Sequence, residues 1–153
     1  MVRLEFQSHL AAPAAEVWAH ASSMHGVNLE LGPLVRMTHP PEAANLLSPL
    51  LKLGQPLFVG WITLLGVIPL DRHTLILEAV RPNGFDERSR SWLQREWVHR
   101  RRIEADALGS RVSDVLEFSP RIGALAPFIA AIVAALFRHR HRRLQQRFGK
   151  AHV

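Results

Sequence analysis

The 153-residue chain contains no cysteine and no tyrosine. Without thiols it has no disulfides and no thiolate metal sites, which excludes a stapled secreted scaffold. Without phenols, no site can use a tyrosine hydroxyl as acid or donor. Acids are absent from the final stretch: Arg138 to Lys150 holds six Lys or Arg and no Asp or Glu, while the other thirteen bases face thirteen acids. The net charge of +6 is therefore a terminal cluster on a neutral body. Nucleic-acid binders spread bases along a groove or interleave them with aromatics, so nucleic acid is not an expected partner. Cations near a helix C-terminus are favourable in their own right.

A membrane-spanning run is also missing. The apolar stretch Ile122 to Phe137 is 16 residues long and contains Pro127, against the roughly 20 needed to cross a bilayer. Met1 to Phe6 form no apolar signal core, which points to the cytoplasm. No Gly-rich phosphate loop, nucleophile elbow or HExxH pattern occurs, which argues against nucleotide enzymes, serine hydrolases and zinc proteases. His139 and His141 lie about 200° apart around a helix and cannot chelate together, so neither metal nor cofactor is expected. The length suits one domain, residues 1 to 153.

What the chain does have is a long C-terminal helix, expected from Ile122 to Phe148, with two unlike halves. An apolar stripe of period 3.6 runs through Ile122, Leu125, Ile129, Ile132, Val133, Leu136 and Phe137 and resumes at Leu144 and Phe148. Arg140 lies on that stripe and brings a cation to the edge of the buried face. An alternative use of this segment is as a tail in the membrane interface, held to anionic lipid by Arg138, Arg142 and Arg143.

The remainder reads as strands with two short helices after the first. Val2, Leu4, Phe6, Ser8 and Leu10 alternate with polar residues as a half-buried strand. Pro13 opens a short helix carrying Val17, Trp18 and Ala21 inward. Gly26 breaks it before a second helical piece, Val27 to Leu31. Residues 33 to 56 hold Pro40, Pro41, Pro49 and Pro56, and an irregular strand followed by a short helix near 43 to 53 is expected. Strands follow over 57 to 65, 72 to 81, 85 to 90, 93 to 104 and 111 to 119, with a Pro82-Asn83-Gly84 turn.

The last hairpin is the most informative. One parity of its first strand carries Trp97, His99, Arg101 and Ile103; the matching parity of the second carries Val112, Asp114, Leu116 and Phe118. Pairing Ile103 with Val112 sets Arg101 opposite Asp114 and His99 opposite Leu116. A one-residue slip would turn inner residues outward, so the pattern favours this register. It predicts an inward ion pair.

This order of elements is that of the helix-grip fold, an α+β arrangement in which a curved antiparallel sheet wraps a long C-terminal helix. The sequence resembles the START-like (SRPBCC) superfamily, in particular its polyketide cyclase/dehydrase-type members. The resemblance rests on Leu10-Ala11-Ala12-Pro13 with Glu16-Val17-Trp18, Gly32-Pro33 before Arg36-Met37, Trp97-Val98-His99 before Arg101, Ser113-Asp114-Val115 with Phe118, and Phe137 with Arg140 and Leu144. It implies a cavity for an apolar or amphipathic small molecule, although fold does not transfer chemistry. The missing tyrosine removes any route that depends on a phenol donor.

Three functional expectations follow. The first is small-molecule or lipid binding between sheet and helix, with Trp61, Leu77, Trp97, His99, Arg101, Asp114, Leu116, Ile129, Val133 and Arg140 lining the hydrophobic cavity. The second is a cyclase or dehydratase using His99 and Asp114 as acid/base groups. The third is membrane contact through the basic helix end. A bland alternative is that Arg101 and Asp114 satisfy each other and Arg140, with His99 bonded to backbone.

Overall fold

A computed structural model describes residues 1–48 and 51–152. Seven strands form one antiparallel sheet in the order β1-β7-β6-β5-β4-β3-β2. They are β1 (Val2–Leu10), β2 (Val35–Met37), β3 (Pro56–Leu64), β4 (Ile68–Arg81), β5 (Gly84–Ser91), β6 (Gln94–Asp106) and β7 (Gly109–Pro120). Two short helices, α1 (Ala14–Ala21) and α2 (Met24–Leu31), follow β1, and α3 (Ala126–Phe148) ends the chain. This is the helix-grip fold.

The period-2 pattern of each strand decides which face is inner. Ile103 faces Val112, Arg101 faces Asp114 and His99 faces Leu116, the register expected from parity alone. Leu116, Phe118, Val133 and Phe137 form one buried cluster, with Val2, Leu4, Phe6, Trp97 and Ile129 against it. A second cluster at the α2–β2–β3 wing joins Met24, Leu31, Met37, Phe58 and Leu75, with Leu136 of α3 packed on it. A third ties α1 to Leu10, Leu77, Ile103, Val112 and Leu144.

Gly26 does not end a helix. The break lies at Ser22–Ser23, where the Ser23 hydroxyl accepts from the Gly26 N–H at 3.0 Å and caps α2. A Cβ at Gly26 would stand 1.8 Å from the His20 carbonyl oxygen, so this glycine lets α2 approach α1. Gly26→Ala is expected to destabilise the protein by about 2 kcal/mol, read as a lower urea midpoint; an unchanged midpoint would contradict the close approach. Beyond α2, the Asn28 side chain donates to Met37 O (3.0 Å) and accepts from Met37 N (2.8 Å), fixing β2.

Over residues 43 to 53 the expected helix is absent among the described residues; a single 3-10 turn, Pro41–Ala43, stands beside it. Pro49 lies outside the described residues. The prolines at 40, 41 and 56 remove donors, leaving the segment held by turn bonds such as Met24 N to Ala44 O and Leu46 N to Ser22 O.

Helix α3 departs from the expected stripe. Val133, Phe137, Arg140, His141 and Leu144 are buried, but Ile122, Leu125, Phe128 and Ile132 are 42–66% exposed. By length and composition, Gly123–Phe148 is the one helix among the described residues that could cross a bilayer. Its second half is instead packed on the sheet and α2. The chain after it pairs back onto β1 through Ala11 N to Gly149 O (2.9 Å) and Ala151 N to His9 O (3.1 Å).

Candidate functional site

The inner face holds a buried polar network at its centre. Asp114, 0% exposed, accepts four hydrogen bonds of 2.8 Å: Arg101 Nε and His99 Nε2 on Oδ1, Arg101 Nη2 and His141 Nε2 on Oδ2. These fill its lone-pair sites. The remaining arm of the Arg101 guanidinium, Nη1, donates to both oxygens of Glu30 at 2.9 and 3.0 Å. Arg140 reaches the same carboxylate from α3, with Nε at 3.2 Å and Nη2 at 3.1 Å. His20 Nε2 stands 3.3 Å from Glu30 Oε2, too poorly aligned to hydrogen-bond.

A second branch continues through β5. His99 Nδ1 lies 3.6 Å from Glu87 Oε2, and His73 Nε2 donates to Glu87 Oε1 at 2.8 Å. On the opposite side, His141 Nδ1 and the Ser8 hydroxyl are 2.6 Å apart. With Nε2 donating to Asp114, a neutral His141 leaves Nδ1 to accept the Ser8 proton. Glu30, Glu87, Arg101, Asp114, Arg140 and four imidazoles thus form one connected interior, edged by Phe85 and Phe137 against the His99 ring.

Electrostatics keep the three carboxylates charged. Burial alone would raise Glu30, but the guanidiniums of Arg101 and Arg140 outweigh it and bring it down to about 2. Burial likewise opposes ionisation of Asp114, yet Arg101 and His99 hold it well below the usual range. Glu87 is lowered against its burial by the hydrogen bond from His73 and by the nearby His99. Arg101 is raised because Asp114 and Glu30 outweigh its desolvation. Arg140 is lowered, chiefly by burial.

The sequence-predicted residues fall into separate groups. His99, Arg101, Asp114 and Arg140 meet in the network. Trp97, Leu116, Ile129 and Val133 pack together beside it, and Leu77 lies in the cluster under α1. Trp61 is displaced from the set: it pairs with exposed Arg72, while its neighbour Gly60 pairs with inward His73. Trp61 therefore faces away from the inner side, where it contacts Trp92 edge-on and Arg72 through its ring. Its apolar strand hid the parity, because a bulge between Ile62 and Thr63 and another near Phe58 shift the alternation.

Glu30, Glu87, His20, His73 and His141 had no assigned role from sequence. A signal existed for Glu30, a lone acid between Leu29 and Leu31, and for Ser8, the one polar residue on an apolar parity. His139 and His141 do point apart: His139 donates to Gly32 O at 2.7 Å. The basic residues Arg138 and Arg142 are exposed, and Arg143 donates to Leu29 O at 3.1 Å. They sit at the end of α3 opposite its exposed apolar half.

Two surface hollows stand out. One, of about 250 Å³, is lined by His20, Leu29, Glu30, Arg143, Gln146 and Arg147. The other, of about 430 Å³, lies between Pro40–Ala43 and Leu51–Leu57. Neither is lined by the residues expected around a ligand. Leu125, just before α3, and Phe128 and Ile132 within it lie in line with Leu136 at helical spacing. Leu136 packs against the cluster that joins α2 to β2, β3 and β4, so the uncovered three lie on the Leu136 side of the helix, nearer its start.

Several solved structures share this fold. The ZhuI aromatase/cyclase from Streptomyces sp. R1128 superposes with a TM-score of 0.70 at 15% identity, covering 95% of this chain and 92% of that one. Protein CV1439 from Chromobacterium violaceum gives 0.70 at 12%, covering 96% and 97%. A START superfamily protein from Mycobacterium smegmatis gives 0.64 at 9%, covering 96% and 95%. These likenesses establish the helix-grip fold, shared with a START superfamily protein. No functionally curated protein matches the chain. Residues 8–148 match the model of a domain of unknown function, DUF8410, and the chain belongs to that family.

Proposed function

We propose that residues 1 to 153 form one cytoplasmic domain that binds an apolar or amphipathic small molecule between α3 and the inner face of the sheet. The observation that carries this reading is the asymmetry of α3. Its second half is clamped by Glu30 and Asp114 through Arg140 and His141. Its first half leaves Phe128 and Ile132 uncovered, together with Leu125 just before the helix, on the side of α3 that carries Leu136. An apolar ligand there would remove that surface from water, worth about 25 cal/mol per Å² covered. The likeness to an aromatase/cyclase and a START protein supports a ligand-binding fold of this kind.

Under this reading Leu116, Trp97, Ile129 and Val133 form the apolar floor beside the ligand, and Leu77 backs it from under α1. His99, Arg101, Asp114 and Arg140 hold sheet, α2 and α3 in place. An acid/base role for His99 and Asp114 is less well supported, because Asp114 has no lone pair left for a substrate.

The test is titration with the fluorescent amphiphile 11-(dansylamino)undecanoic acid. Saturable binding at one site is expected, weakened about tenfold or more by Ile132→Glu. His99→Ala should keep affinity within about tenfold. Absence of saturable binding, or indifference to Ile132→Glu, would remove the proposal; native mass spectrometry of the purified protein provides an independent search for a retained ligand.

A further inference from the structure

We propose that the end of the molecule formed by the β3–β4 hairpin, the β5–β6 turn and the first turns of α3 docks on an anionic bilayer surface. Of the seventeen exposed large hydrophobic side chains among the described residues, twelve belong to this end: Leu34, five between Leu64 and Leu70, Trp92, Leu93, and four between Ile122 and Ile132. Val67 at the hairpin tip is 76% exposed and Phe128 on α3 is 66% exposed. A patch built from several elements in this way is unusual on a free surface and marks an interaction site.

Backbone bonds join the pieces into one surface. Leu65 N donates to Leu34 O at 2.8 Å, Trp92 N to Arg72 O at 3.2 Å, and Arg121 N to Leu93 O at 3.0 Å. Arg121 Nε adds a bond to Ser91 O at 2.9 Å. At the hairpin tip Leu65 adopts φ 53°, a left-handed conformation that Gly or Asn takes more easily. A leucine held there and exposed serves no packing purpose within the chain.

Charge identifies the occupant. Across residues 31–37, 64–77, 90–95 and 119–137 the one acid is Asp71, and it is 7% exposed, accepting from the Arg72 and Leu93 backbone N–H groups. Arg36, Arg72, Arg90, Arg95 and Arg121 are all exposed there, and none forms a salt bridge among the described residues. Arg3, Arg81, Arg88, Arg102 and Arg111 each pair with a carboxylate, while the other exposed arginines without one, Arg138, Arg142 and Arg147, lie at the far end of α3. Apolar tips ringed by unpaired cations match the headgroup region of an anionic leaflet. A second copy of the chain would bring like charges together across a two-fold contact. The buried bonds of Arg140 to α2 and of His141 to the sheet keep α3 attached, so the protein rests on the surface without crossing it.

This docking goes beyond the ligand-binding reading and does not require it, since vesicles test the surface without any ligand. Full-length protein is sedimented with vesicles of phosphatidylcholine and with an equimolar mixture of phosphatidylcholine and phosphatidylglycerol. Sedimentation with the mixture, a blue shift of tryptophan emission and release by high salt are expected. The double substitution Val67→Asp and Phe128→Asp should lower partitioning at least about tenfold at an unchanged thermal midpoint. Val67→Asp alone repeats the test should the double variant be unstable. Arg138→Glu with Arg142→Glu, at the far end, should leave partitioning unchanged. The proposal is overturned if the native protein stays in solution with the mixed vesicles, or if the far-end variant loses binding while the apolar-end variants keep it. A dimer in sedimentation velocity that Val67→Asp dissolves, without vesicle binding, would likewise assign the surface to a second copy and overturn it.

Discussion

Replacing Arg101 with alanine is expected to lower stability by about 3–5 kcal/mol, the cost of leaving a buried charge without its partner. Its guanidinium is 1% exposed and joins strand to strand and sheet to α2, through two bonds to Asp114 and two to Glu30. Removing it strands two carboxylates in the interior, with Arg140 left for Glu30 and two imidazoles for Asp114. Against a total stability of about 5–15 kcal/mol for a single domain, the variant should be largely unfolded in modest urea. Arg101→Lys keeps the charge but not the planar fork, so it should fall between the two. Urea midpoints measure the series. A change under about 1 kcal/mol for Arg101→Ala would mean that the network contributes little to holding α2 on the sheet.

The second large effect is acid unfolding. Glu30 has a folded value of about 2 against an ordinary 4.5, and Asp114 and Glu87 are depressed in the same direction. A carboxyl whose folded value lies below its unfolded one stabilises the fold above the unfolded value. That contribution fades as pH falls toward the folded one. For Glu30 the window runs from about 4.5 down to about 2, and the loss is on the order of 3 kcal/mol. Urea midpoints should therefore be level near neutrality and fall steeply below pH 4.5. Glu30→Gln should start lower and show a shallower slope in that window. A native midpoint that is flat down to pH 3, or an equal slope in the variant, would contradict the assignment.

The network also explains how much of the site was readable in the chain. Arg101 and Asp114 were legible because strand parity has a period of two: a charge on an apolar parity must face inward, and the register then names its partner. Arg140 was legible for the same reason on a period of 3.6. Glu30 pairs with Arg101 across 71 positions, and no periodicity links a residue in a two-turn helix to one in a later strand. His73 and His141 join through third parties, Glu87 and Asp114, so their roles appear only once both neighbours are placed. Trp61 went astray because bulges break the alternation within an unbroken apolar run.

The sequence by itself determined the order of the strands and of the long terminal helix, the pairing of β6 with β7, and the presence of a cation on that helix's buried stripe. These depend on local periodicity and on which residues tolerate burial. Only the tertiary structure decided that Glu30 completes the Arg101 ion pair, and that the first half of α3 keeps Phe128 and Ile132 exposed. An apolar stripe specifies that a surface prefers cover; the length and curvature of the sheet decide how much of it is covered.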